Sequence, residues 1–266
     1  MAQLDVPLAG SRFGQTSRRD LWWLQPLAVF LGLSAFIIYA TWAALQGEHY
    51  EYGPYLSPFY SPLLFGPSDH AWLAEERPAW IPGFVTAAML ILWAPAGFRL
   101  TCYYYRGAYY KAFWADPPNC AVGEPRKTYW GERRFPLILQ NAHRYFLYLA
   151  LVFLLILAHD VWKALWFVDP ATGRTTFGIG LGTLVLAANV VLLGSYTLGC
   201  HSFRHIVGGF RDHIAGQPAV RTAYDCVSCL NRSHMRWAWA SLFSVGFADF
   251  YIRMCSMGVW SDWRIL

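Results

Sequence analysis

The run Gly199-Cys200-His201-Ser202-Phe203-Arg204-His205 puts a thiol, two imidazoles and a guanidinium within seven residues. On a helix His201 and His205 stand four residues apart, one above the other on a single face. Thiolates and imidazoles ligate zinc, iron and iron–sulfur clusters. Such groups at membrane depth read first as functional, against the plainer reading of a polar helix end breaking the surface. A second motif, Cys226-Val-Ser-Cys229, is a CxxC with His234 five residues on. That spacing suits zinc or iron–sulfur binding. With no second such pair, a zinc ion would need Cys200, His201 or His205 to complete its four ligands. The alternative is two buried thiols packing where the last apolar segment begins. Cys102, Cys120, His143 and His213 complete the inventory.

The elements that must carry these residues are membrane helices. Only 14% of the 266 residues are charged and 56% are hydrophobic, whereas a soluble domain carries about 25% charged residues. A spanning helix needs about 20 predominantly apolar residues, and five segments qualify: 24–46, 80–103, 143–167, 177–200 and 237–259. The expected fold is an all-α integral membrane protein, one domain over 1–266, with five transmembrane helices in a bundle. The first apolar run starts too late and is too long for a cleavable signal peptide. Of the 21 Lys and Arg, three precede the first span, eight lie over 99–145 and five over 204–236. The positive-inside rule turns those segments to the cytoplasm, with the N-terminus inside and the C-terminus outside. The net charge of +5 then needs no nucleic-acid partner.

This topology gathers the chemistry on one side. Five of the six cysteines and five of the eight histidines fall at the cytoplasmic ends of spans or in the loops joining them. There a reducing compartment disfavours disulfides and leaves metal ligation open. Consecutive spans alternate in direction, so Cys102, His143, Cys200 and His205 share a depth near that face. Two facing histidines, His143 with His201 or His205, could bind haem iron axially. Alternatively, two thiolates and two imidazoles could hold a two-iron cluster of Rieske type. Haem would leave the cysteines unexplained. His159 is the one intramembrane histidine toward the other side, so a second bis-histidine haem lacks a partner.

Other segments are read more plainly. The outer loop 47–79, with Tyr50, Tyr52, Tyr55, Phe59 and Tyr60, reads as an ordered lid or an interfacial aromatic belt. The connection 104–142 interleaves tyrosines with Arg106 and Lys111, as a docking surface for another protein or an interfacial helix with snorkelling cations. The turn Asp116-Pro-Pro-Asn-Cys120 should hold Cys120 rigidly near the membrane face. His159-Asp160 and Asp249 with Arg253 read as structural pairs before a proton route. Few midplane charges and no pseudo-symmetric halves argue against a transporter. Walker, GxSxG and Rossmann motifs do not occur, which disfavours nucleotide or acyl chemistry and assigns no catalytic side chain.

Several runs together resemble a known family: Tyr52-Gly-Pro-Tyr-Leu-Ser-Pro-Phe-Tyr-Ser-Pro62, Thr101-Cys-Tyr-Tyr-Tyr-Arg106, Pro117-Pro-Asn-Cys-Ala-Val122, Asn141-Ala-His-Arg-Tyr145 and Cys200-His-Ser-Phe-Arg-His205. Over nearly the whole chain they look like the membrane-anchor component of actinobacterial-type succinate dehydrogenases. The resemblance implies a component of respiratory complex II, multi-pass in the cell inner (plasma) membrane and surrounded by membrane lipid. The flavoprotein and iron–sulfur subunits of succinate dehydrogenase would dock on the cytoplasmic face and oxidise succinate. This chain would pass their electrons to a quinone, menaquinone by expectation. The resemblance also implies a [2Fe-2S] cluster of Rieske type in place of the usual haem b, which is the alternative, with a zinc-binding structural membrane protein as the reading from another class. The ordinary Rieske spacing, C-x-H then C-x-x-H, is absent. Six residues are therefore candidate ligands for four positions: Cys102, Cys120, His143, Cys200, His201 and His205, with Cys226 and Cys229 second. A quinone needs hydrogen-bond donors at its carbonyls and a flat apolar slot, for which Arg204, His234 and Trp237, with Tyr105 opposite, are the candidates.

Overall fold

The computed structural model describes residues 12–125, 137–169, 171–209 and 211–266. Arg126, Lys127, Arg133 and Arg134, counted among the charges that orient the chain, lie outside them.

Long apolar runs become helices because a helix satisfies every backbone N–H and C=O within its own segment, as hydrocarbon demands. Helix α1 runs over Leu24–Gln46, α5 over His143–Lys163, α6 over Leu181–Leu198 and α9 over His234–Ser256. Among the described residues three stretches are long and apolar enough to cross a membrane: Leu24–Gln46, Ile138–Lys163 and Leu181–Leu198. Helix α9 equals α1 in length, but Arg236, Asp249 and Arg253 interrupt its apolar character.

The stretch 80–103 is not one helix. It is built from α2 (Ala87–Ile91) and α3 (Trp93–Leu100), with α4 (Tyr103–Ala108) following. Pro95 accounts for the first break, since it has no N–H for the Ile91 carbonyl and its ring crowds that group. Backbone bonds carry across the step, from Leu92 N to Ala88 O at 3.0 Å and from Ala96 N to Leu92 O at 2.9 Å. Together α2 and α3 rise roughly 21 Å at 1.5 Å per residue, less than the hydrocarbon thickness of about 30 Å.

The fourth apolar run also ends early. Helix α6 stops at Leu198 with Gly199 as its C-cap, and Cys200 turns extended at ψ 144° to begin α7 (His201–Gly208). His201 and His205 therefore sit on a separate short helix rather than at the end of the span. A Cβ on Gly199 would lie 2.7 Å from Ser195 O and 3.2 Å from Leu230, so a side chain there would push α8 (Pro218–Arg232) away from α6. Pro218 opens α8 at a first-turn position where its missing N–H costs nothing.

The chain forms two compact units. One holds residues up to Ile38 together with Arg99–His143. In it the segment after Arg12 is sewn to the turn around Cys120: Gly14 N donates to Gly123 O at 3.0 Å, Thr16 Oγ1 to Ala121 O at 2.7 Å, and Asn119 Nδ2 to Trp22 O at 2.9 Å. Phe30 packs on Phe113 with ring centroids 5.0 Å apart.

The other unit holds Tyr39–Phe98 and Arg144–Leu266. Its spine is the antiparallel pair α6 and α9, with Tyr55, Leu186, Ala248, Tyr251 and Ile252 in one buried cluster. The outer loop 47–79, read as an interfacial aromatic belt ahead of an ordered lid, is an ordered segment and is called the lid below. It carries an antiparallel ladder of β1 (Glu51–Tyr52) with β2 (Tyr55–Leu56), and a parallel one of β3 (Leu63–Phe65) with β4 (Ala71–Ala74). Two buried serines fasten it: Ser57 donates to Asp249 on α9, and Ser61 to Asp160 on α5. Past α5, strands β5 (Trp166–Val168) and β6 (Thr175–Phe177) form a hairpin. The C-terminal tail then closes the end of the unit. Asp262 accepts from Tyr55 OH and Tyr251 OH, each at 2.7 Å, and from Gly182 N in the first turn of α6 at 2.9 Å.

Candidate metal and quinone site

The candidate residues divide between the two units. In the first, Cys102 is 2% exposed and stands at the N-cap of α4 in extended conformation. Its neighbour Thr101 places Oγ1 3.0 Å from His143 Nδ1. Thr101 was not foreseen; its adjacency to Cys102 was the one available signal. Cys120 is exposed; its N–H donates to Asn119 Oδ1 at 2.8 Å and its carbonyl accepts from Arg18 Nη1 at 2.9 Å. Asn119 and Arg18 thus hold the backbone at Cys120.

Tyr105 belongs to the same unit. It is buried, and its hydroxyl takes a hydrogen bond from Arg99 Nη1 at 3.0 Å. Burial pushes the Tyr105 phenol up, with Arg99 opposing. Burial also raises Tyr109, whose hydroxyl donates to Arg99 O at 3.3 Å. Both phenols stay protonated and able to donate.

In the second unit Cys200 repeats the arrangement of Cys102. It is 2% exposed, caps α7, and its Sγ accepts the Ser202 N–H at 3.3 Å. Hydrogen bonds of this kind to sulfur are a means by which proteins tune cluster thiolates. His201 and His205 are exposed on α7. Arg204 contacts α8: Nε donates to Ser228 Oγ at 3.0 Å and the guanidinium lies 4.8 Å from the Tyr224 ring centroid. Asn231 Nδ2 adds a bond to Gly199 O at 2.7 Å. These contacts fix α7 and α8 as a helical hairpin under the end of α6. Sequence reading missed Tyr224, Ser228 and Asn231, although the amphipathic spacing of 218–232 could have shown a surface helix.

Cys226 and Cys229 are exposed on α8, which corrects the alternative of two buried thiols. The apolar side of that helix is supplied instead by Tyr224, Val227 and Leu230, at a helical spacing that puts them on one face.

His234 opens α9 and is buried, with its ring stacked on Tyr196 at 4.9 Å and 23°. Phe98 packs edgewise on the other side of Tyr196 at 5.3 Å. Trp237, nearly one turn on, has its indole Nε1 buried without a hydrogen-bond partner among the described residues. An unpaired donor in such surroundings costs about 1–3 kcal/mol. In neither unit do three or more His, Cys, Asp or Glu side chains gather for metal binding among the described residues.

Residues 24–258 match the model of the actinobacterial succinate dehydrogenase subunit SdhC. The structure is similar to a chain of the Mycobacterium smegmatis Sdh1 complex in the apo form, with a TM-score of 0.84 and 43% identity over 94% of each chain. No protein of curated function matches. A helical chain with several membrane-length apolar helices, matching that family over nearly all its length, is a succinate dehydrogenase membrane anchor of the actinobacterial SdhC family.

Proposed function

We propose that this chain conducts electrons from the soluble iron–sulfur subunit of its complex to a membrane quinone, with menaquinone the expected acceptor. The observation that carries the quinone half is the buried, unpartnered indole N–H of Trp237 beside the stacked pair His234 and Tyr196. A quinone carbonyl accepts such a donor, and flat rings offer the apolar slot a quinone ring fills. As electrons arrive, negative charge grows on the carbonyl oxygen, and a fixed N–H stabilises it without reorganising. Tyr105 and His234 are proposed as further donors. Arg204 is assigned the supporting role of holding α7 against α8, because its Nε and ring contact go to Ser228 and Tyr224.

The donor chemistry fits a Rieske-type [2Fe-2S] cluster. Cys102 and Cys200 are buried thiols at helix N-caps, one following Thr101, which bonds His143, and one with an N–H bond already on sulfur. The ligands are proposed to come from Cys102, Cys120, His143, Cys200, His201 and His205. Such a cluster supplies one-electron transfer at a potential raised by its histidine ligands. Haem b, held axially by His143 with His201 or His205, is the alternative, and it would leave the buried thiols Cys102 and Cys200 without a role. Flavoprotein and iron–sulfur subunits are the proposed partners on the cytoplasmic face. Five crossings of the inner membrane, with the N-terminus inside, complete the reading.

The test is spectroscopic. The whole complex, purified and reduced with succinate or dithionite, should give the paramagnetic resonance of a Rieske-type centre beyond those of the soluble subunits, and no cytochrome b band. Cytochrome b bands would replace the cluster by haem. Zinc with no additional iron would leave a structural metal site. Cys102→Ser and Cys200→Ser should each abolish the extra signal; a surviving signal removes that residue and promotes Cys226 and Cys229.

A further inference from the structure

A cavity of about 480 Å³ opens in the second unit between the end of α1 and the lid. No role in electron transfer falls to it. One wall is apolar and aromatic: Tyr50 and Tyr60 stack at 4.4 Å, and Leu45, Leu63 and Phe84 continue it. Its lining also carries charge, from the exposed side chains Glu48, Glu75, Glu76 and Arg77. Arg77 Nη1 donates to Gly83 O at 2.7 Å, which fixes the guanidinium at the rim.

The position says what kind of molecule this division suits. The cavity begins where α1, a membrane-length helix, ends at Gln46, so it lies at the level where hydrocarbon gives way to water. Leu45 and Phe84 are 53% and 74% exposed, an apolar approach that water would penalise and acyl chains would cover. A membrane-length helix also presents the negative end of its dipole at its C-terminus, where a cation is favoured. Three carboxylates leave the lip net acidic, while Arg77 provides one position for an anion. The matching ligand carries a primary ammonium and a phosphate on an apolar tail.

We propose that this cavity binds the headgroup of an aminophospholipid, with the ammonium among Glu48, Glu75 and Glu76, the phosphate toward Arg77 and the chains over Leu45 and Phe84. Phosphatidylglycerol lacks the ammonium and meets three carboxylates, so it is disfavoured. The experiment uses the complete complex in mild detergent, incubated with mixed micelles of phosphatidylethanolamine or of phosphatidylglycerol and read by native mass spectrometry. Phosphatidylethanolamine should be retained at least about five-fold over phosphatidylglycerol, each 1.4 kcal/mol of preference being a factor of ten. E75Q/E76Q should erase that preference, and Phe84→Ala should lower retention of both lipids. All three changed residues are exposed, so unfolding temperature and quinone reduction should stay as in the wild type. Equal retention of the two lipids, retention of neither, or a preference that survives E75Q/E76Q would overturn the assignment.

Discussion

Asp249 and Arg253 stand one turn apart on α9, with Oδ2 and Nε 3.4 Å apart and neither side chain more than 1% exposed. Their remaining valences are used. Asp249 also accepts from Tyr39 OH at 2.6 Å and from Ser57, while Arg253 reaches Glu48 O at 2.8 Å and lies 5.1 Å from the Trp42 ring centroid. The pair thus joins α1, the lid and α9. Removing one partner of a buried pair strands the other charge, at about 3–5 kcal/mol. Arg253→Met should lower the unfolding temperature of the detergent-solubilised complex by that equivalent. Asp249→Leu with Arg253→Met should recover part of the loss, because two apolar residues leave no uncompensated charge.

Gly182, in the first turn of α6, lies against the ring of Tyr55, where an added Cβ would meet Cε2 at 2.6 Å. Tyr55 is also held by Asp262, so it has little freedom to withdraw. Gly182→Ala should destabilise by about 1–3 kcal/mol, the usual effect of overpacking, read by thermal unfolding.

His70 in the lid is buried, and its Nδ1 has no hydrogen-bond partner among the described residues. Desolvation first, then the nearby Lys163 charge, lowers its pKa to about 4. The folded protein therefore favours neutral imidazole. The stability this gives is complete above about pH 6.5, the ordinary histidine value, and is lost as pH falls toward 4. The full loss is about 3 kcal/mol by linkage. Unfolding measured from pH 7 to pH 4.5 should show this slope in the wild type and a shallower one in His70→Gln.

Trp237→Phe separates a binding role from a structural one. Removing a buried N–H that lacks a partner should leave stability unchanged or slightly higher. If the indole binds a quinone carbonyl, the same change should raise the KM for a short-chain quinone several-fold, the worth of one hydrogen bond, with succinate oxidation by a soluble dye unchanged. A drop in stability with no change in KM would sink that role.

Arg204→Ala should loosen α7 from α8 by removing the bond to Ser228 and the contact with Tyr224. Hydrogen exchange over 201–232 should rise while that over α6 stays level, since α6 is held by α9 and Asp262 independently.

Residue order alone was enough to say where the chain meets hydrocarbon. Runs 24–46, 143–167 and 177–200 reappear as α1, α5 and α6 within a few residues, because a long uncharged run has one way to satisfy its backbone in lipid. Motif likeness at Thr101-Cys102, Asn141-Ala-His143 and Cys200–His205 was enough to name the family. What apolar content could not express was where a run breaks. Pro95 divides 80–103, and Gly199 with Cys200 divides the fourth run from the helix bearing His201 and His205. Burial was equally out of reach, since Cys200 and Cys226 are the same residue type in neighbouring helical segments. Only packing decides that the first is covered beside α6 and the second faces outward on α8. The partner of each polar group was also a tertiary matter. Arg204 reads as a candidate quinone donor by composition, and its bond to Ser228 exists because α8 folds back against α7. Asp262, ten residues beyond Ile252, becomes the cap of α6 because three donors from distant segments converge on one carboxylate.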